Sequence, residues 1–127
     1  MNKKNIDRMI PLAITAISKT LLNNRTSIES KYNGYINAYG PTIIQSGILQ
    51  AVFFYEKDDR KEINSLLSDI LTAFGTFHNN GETSLSTEIR KIEGDPAKKR
   101  LMKNRLLEAI TATKLAIKTF RIEKSES

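Results

Sequence analysis

The stretch from Tyr32 to Tyr55, YNGYINAYGPTIIQSGILQAVFFY, holds all four tyrosines of the chain, two of its five phenylalanines and its densest apolar run. Tyr32, Tyr35 and Tyr39 stand at i, i+3 and i+7, a spacing that puts three rings on one face of a helix with about 3.6 residues per turn. Gly40-Pro41 follows, and the residue before a proline is pushed away from the α region, so the sequence predicts a break at Gly40 and a fresh helix from Pro41. In that second helix Ile43 and Ile44 are expected to pack inward, with Gly47 either ending it as a left-handed residue or letting two backbones touch. The run Ile48, Leu49, Ala51, Val52, Phe53, Phe54, Tyr55 reads as the buried centre of the domain.

Working outward, Ile6, Ile10, Ile14, Ile17 and Leu21 recur at helical spacing beside Ala13 and Ala16, which predicts an amphipathic helix from about Asn5 to Leu22, kinked near its start by Pro11. Asn23, Asn24, Thr26 and Ser27 form a polar joint. Asp58-Asp59 with Glu62 reads as an N-cap and capping box; the same paired carboxylates are a weaker candidate for acid-base or metal chemistry, since no partner at suitable spacing accompanies them. Ile63, Leu66, Leu67, Ile70, Leu71 and Phe74 give the cleanest amphipathic pattern, ended by Gly75. The polar stretch 76–84 reads as an exposed loop containing His78, the one histidine, which reads as a surface residue and not a ligand or base. Thr83 or Ser84 can cap a short helix through Ile89 and Ile92, closed by Gly94. Asp95-Pro96 then opens a last helix, cap followed by proline at the first helical position, running to about Arg121 and leaving 122–127 as a frayed tail. With no strand pattern and no internal repeat, the chain reads as all-α, one domain over residues 1–127, a bundle of five to seven helices.

The chain has no cysteine, which excludes disulfides and thiolate metal sites or nucleophiles. A Gly-rich phosphate loop is absent as well, so no enzyme activity and no cofactor or metal are expected. Neither a membrane span nor a signal peptide is expected, and a cytoplasmic protein is. The formal charge is +6, unevenly spread: residues 90–124 hold eleven Lys or Arg against Glu93, Asp95, Glu108 and Glu123. On a helical projection of the last helix, Met102, Leu106, Ala109, Thr113, Ile117 and Phe120 make the core stripe. Arg100, Lys103, Lys114, Lys118 and Arg121 fall within an arc of roughly 60° beside it, around Leu107. That flank is either a solvated face or a track for phosphates. Leu101, Ala112 and Leu115 make a second apolar strip, which places the helix at the bundle centre or against a neighbouring subunit. The tyrosine stripe likewise reads as core or as a stacking surface for unpaired bases.

A tyrosine-bearing helix carrying Tyr32 and Tyr35, then Pro41, Ile44 and Gly47, then a helix with Leu49, Phe53 and Tyr55, resembles the small subunit of the type III-B CRISPR effector, the Cmr complex. So does a closing helix opened by Asp95-Pro96 and ending in Ile117-Lys118-Thr119-Phe120. Gly40 departs from the bulky residue usual there, and Ile48 from a common leucine. The resemblance implies an all-helical, non-catalytic protein whose copies stack into the minor filament of an RNA-guided antiviral ribonucleoprotein. It would lie along the duplex of CRISPR RNA and target RNA, contact mainly the target strand, and adjoin the RNA-cleaving backbone subunit and other Cmr subunits. On this expectation Arg100, Lys103, Lys114, Lys118 and Arg121 meet nucleic acid, while Leu101, Ala112 and Leu115 meet protein. The alternative is a helical spacer or oligomerisation module that touches protein only.

Overall fold

The computed structural model describes residues 1–77 and 84–123. Among them are six α-helices: α1 Lys3–Ile17, α2 Ser30–Ser46, α3 Ile48–Phe54, α4 Lys61–Phe74, α5 Leu85–Lys91 and α6 Pro96–Ile117. The fold is all-α and a single domain, as the periodicity predicts, with no strand among the described residues and one isolated parallel bridge between Ile28 and Ile122. Residues 78–83, His78 and Thr83 among them, lie outside the described residues; of the stretch read as an exposed loop, Phe77 is instead buried in the core, and Ser84 caps α5, its Oγ accepting from the Thr87 amide at 3.3 Å.

The long helix α6 is the hub. It packs against α1, α2 and α4, while α5 closes the bundle against α3 and α4. Asp95 caps it as expected, accepting from the Lys98 amide at 3.1 Å, and Pro96 follows at the first turn. The expected core stripe is buried from Met102 to Ile117, with Phe120 partly buried against it.

Near the centre of the sequence the structure corrects three expectations. Helix α2 runs without interruption through Gly40-Pro41 and breaks only at Gly47. Much of the clash that a proline imposes on its predecessor falls on that residue's Cβ, which Gly40 lacks. The carbonyl of Asn37, left without its amide partner, belongs to an exposed residue that water can serve, and Tyr39 and Ile43 on either side are both buried. At Gly47 the backbone reaches φ 84°, ψ 164°, a conformation that only glycine adopts readily, and α3 starts in a new direction. Second, Ile44 does not pack inward; it is 63% exposed. Third, α3 is amphipathic and not wholly buried. Ile48, Ala51, Val52 and Tyr55 face the core at i, i+3, i+4 and i+7, which leaves Phe53 and Phe54 at 42% and 50% exposure on the other side.

The tyrosines hold this region together. Tyr39 and Tyr55 are buried with ring centroids 3.9 Å apart. The Tyr39 hydroxyl donates to Asn64 Oδ1 at 2.5 Å, and Asn64 Nδ2 donates to the Val52 carbonyl at 3.0 Å, satisfying one of the open carbonyls at the end of α3. Tyr55 donates to the Tyr35 carbonyl at 2.6 Å. Tyr39 is therefore core, and Tyr32 and Tyr35 sit at its edge. Asp59 caps no helix: it accepts from Tyr35 at 3.0 Å and pairs with Lys31 at 2.5 Å, while α4 begins without a side-chain cap after a 3-10 turn entered at positive φ by Asp58. The pairing with Lys31, then the Tyr35 hydroxyl, holds the Asp59 carboxyl below its ordinary range.

All four tyrosines are held above the ordinary phenol value near 10, Tyr32, Tyr39 and Tyr55 mainly by burial and Tyr35 mainly by its hydrogen bond to Asp59. A phenol whose folded value exceeds its unfolded one stabilises the fold fully below about pH 10 and loses that contribution as pH rises towards the folded value. Alkaline titration followed by phenolate absorbance, which no tryptophan overlays, is expected to lag free tyrosine and to finish with unfolding. Four phenolates forming at the free-tyrosine midpoint while the helical signal persists would contradict this packing.

At the N-terminal side, α1 ends in a π-helical segment, Ser18–Leu22, so the expected helix to Leu22 is α-helical only to Ile17. Asn23 and Asn24 then take left-handed conformations, which asparagine tolerates better than most residues. Helix α6 stops at Ile117, four residues short of expectation, where Thr119 donates to the Ala116 carbonyl at 2.8 Å. Of the tail expected to fray, 124–127 lie outside the described residues, and Ile122 and Glu123 are held: the Ile28 amide donates to the Arg121 carbonyl at 2.8 Å and the Glu123 amide to the Ile28 carbonyl at 2.7 Å. The Glu123 carboxylate also accepts from Arg25 and Ser27.

Candidate nucleic-acid interface

Helix α6 carries six basic residues and one carboxylate, Glu108. That single acid points away from solvent. It is 1% exposed and is held from three sides: Asn2 N at 2.7 Å, Asn5 Nδ2 at 3.2 Å and Arg105 Nη1 at 2.5 Å. Glu108 thus ties the start of α1 to the middle of α6 and takes Arg105 with it. The consequence for the surface is electrostatic, because the solvent side of α6 is left with cations and no acid.

Arg100 and Lys118 are exposed, Lys103 and Lys114 half-buried, and among the described residues none of the four forms an ion pair. From Arg100 to Lys118 the row spans about 27 Å at 1.5 Å per residue. Arg100 and Lys103 line a groove against Gly47 and Gln50 at the α2–α3 junction, where Glu93 is occupied by Lys99 at 3.0 Å. Lys114 lines a second groove with Pro41, Ile44 and Leu107. Lys114 and Lys118 also sit at the C-terminal end of α6, where the helix dipole favours positive charge. Arg121 departs from the projected arc. It lies past the helix end in the segment bridged to Ile28, exposed and without an ion pair among the described residues, so helical geometry does not align it with the other four.

The apolar strip is corrected at its centre. Ala112 is fully buried in the chain's own core and meets no neighbour, whereas Leu101 and Leu115 are 52% and 43% exposed. They lie about 21 Å apart along α6. Leu101 borders a groove with Phe77 and Ile92. A second apolar side on this helix is thus explained for its middle by α6 being central, and only its two ends remain outward.

Ile44, Phe53 and Phe54 are surface residues that reading the apolar run as uniformly buried missed. The signal was present: Ile48, Ala51, Val52 and Tyr55 already satisfy the inward face of a short helix. Among the described residues no three His, Cys, Asp or Glu side chains are grouped as a metal-binding set, and no helix is long and apolar enough to cross a membrane.

No curated protein and no solved structure matches the chain. The profile of the CRISPR-associated protein family Cas_Cmr5 matches residues 11–119, a span that begins in α1, covers α2 to α5 and the whole of α6, and takes in the residues that carry the resemblance except Phe120, which lies one position past its end. An all-α single domain with this helix order and this match is a member of that family: the chain belongs to the CRISPR-associated Cmr5 proteins, the small subunits of the type III-B Cmr complex.

Proposed function

We propose that the chain is a non-catalytic wall subunit of the Cmr effector, acting in the cytoplasm, whose copies stack as a minor filament along the duplex of CRISPR RNA and target RNA and touch mainly the target backbone. The observation that carries this reading is the solvent side of α6: Arg100, Lys103, Lys114 and Lys118 with no exposed acid on the same helix. A row of cations facing solvent for about 27 Å suits a phosphate backbone, which is read by charge and shape and not by base identity. In guided effectors base pairing supplies the sequence information, so a protein wall needs charge and rigidity. Leu101, Leu115 and Ile44 supply outward apolar contacts for neighbouring copies, the backbone subunit and other Cmr subunits.

The test is photocrosslinking of target RNA in the assembled particle, with peptides mapped on this chain. Crosslinks are expected in α6 and at the α2–α3 junction. The protein-only spacer is the second reading, favoured by the exposed Leu101 and Leu115. Under it, Leu115→Glu releases the chain from the particle while wild-type particles give no RNA crosslinks to it. RNA turnover by the purified chain would refute the non-catalytic assignment.

A further inference from the structure

The exposed face of α3 consists of Gln50, Phe53 and Phe54, in a chain whose other described aromatic side chains are buried or half-buried. The Phe54 ring is held in place. The Arg60 guanidinium lies over it at 4.7 Å and over the Tyr35 ring at 5.4 Å, and Tyr55 meets Phe54 edge-on at 5.8 Å. One face of the ring is thus braced by a cation, and half of the residue remains open to solvent. Gln50 stands one helical turn before this pair, about 5 Å along α3, and lines the same groove as Arg100 and Lys103.

We propose that Phe53 and Phe54 form a stacking platform for an unpaired nucleobase of the RNA strand whose phosphates lie on Arg100 and Lys103. This rests on the RNA-contacting reading and adds a base contact to it. Two features favour nucleic acid over protein as the occupant. The groove that Gln50 also lines carries Arg100 and Lys103, two cations without ion-pair partners among the described residues, which complements phosphate. The braced Phe54 is a flat surface already oriented, and stacking on such a surface accepts any base. Gln50, between the phosphate groove and the rings, can donate to or accept from the edge of the stacked base.

The assembled effector, carrying this subunit as wild type or Phe53→Leu/Phe54→Leu, is titrated with target RNA bearing 2-aminopurine at successive positions. Leucine keeps the apolar area for a protein neighbour and removes the π face. The expected result is quenching at one register in the wild type, its loss in the leucine variant, and an affinity reduced about five- to hundredfold with an unchanged salt slope, since every phosphate keeps its cation. Phe53→Tyr/Phe54→Tyr restores both signals. Wild-type quenching and affinity in the leucine variant overturn the platform. If Lys114→Glu/Lys118→Glu still lowers the salt slope, only the platform falls; if that also changes nothing, the RNA reading falls with it. Should Phe53→Ala/Phe54→Ala detach the chain while the leucine variant binds RNA as wild type, the face belongs to a protein neighbour and the proposal is wrong.

Discussion

Reversing Lys114 and Lys118 to glutamate is expected to lower the affinity of the assembled effector for target RNA by tens of fold and to flatten its salt dependence by about 1.4 in log–log slope. Counterion release sets the size, at about 0.7 in slope for each single-strand phosphate that a cation no longer neutralises. Leaving two phosphates unneutralised at about 0.1 M salt already removes roughly 2 kcal/mol, and introducing two acids beside the same phosphates adds repulsion. Neither lysine has an ion-pair partner among the described residues, so their replacement breaks no such pair within the subunit. Lys114 is half-buried in its groove with Ile44 and Leu107, whereas Lys118 is exposed, so Lys118 is the cleaner single reversal. The controls are the particle's subunit composition and the melting of the free variant, both expected to remain near wild type. Unchanged affinity and slope in an intact particle would remove these two residues from the RNA interface.

Glu108→Ala is expected to be the most destabilising single change outside the aliphatic core. It removes the acceptor of the Asn2 amide, of Asn5 and of Arg105 at once, leaving a cation at one quarter exposure with its partner gone. Breaking a buried pair from one side costs about 3 to 5 kcal/mol, a large share of the roughly 5 to 15 kcal/mol that holds a domain folded. For a chain of this size that corresponds to a fall in Tm of about 10 to 20 °C. Glu108→Gln keeps the volume and one acceptor oxygen and is expected to fall in between. The loss originates at the α1–α6 junction, so amide exchange in α1 is expected to accelerate before that in α4. A variant that melts within a degree or two of wild type would show that Glu108 is not holding α1 onto α6.

These two residue sets were legible to different degrees. The row on α6 could be found from sequence because a helix repeats its faces by a fixed angle, so Arg100, Lys103, Lys114 and Lys118 share a side wherever the helix is placed. Glu108 could be excluded from that side but not assigned a role, since its partners Asn2 and Asn5 are more than 100 residues away in the chain. Arg121 shares the arc only if the helix is extended four residues too far.

Local chemistry determined a good deal without help: an all-α bundle of five to seven helices, the Asp95-Pro96 start of α6, the Gly75 stop of α4, the core stripe of α6 and the basic excess at the C-terminal end. These depend on periodicity, capping and the allowed backbone angles of glycine and proline, which neighbours in sequence set. Packing alone decided the rest. Helix α2 passes through Pro41 because Tyr39 and Ile43 are anchored on both sides of it, and α6 ends where Phe120 and Ile122 turn back onto the core and Ile28. Ala112 is covered by the bundle while Phe53 and Phe54 are left outside it. Hydrophobicity states that a side chain prefers to leave water; which of several competing side chains succeed depends on how many faces the neighbouring helices can cover.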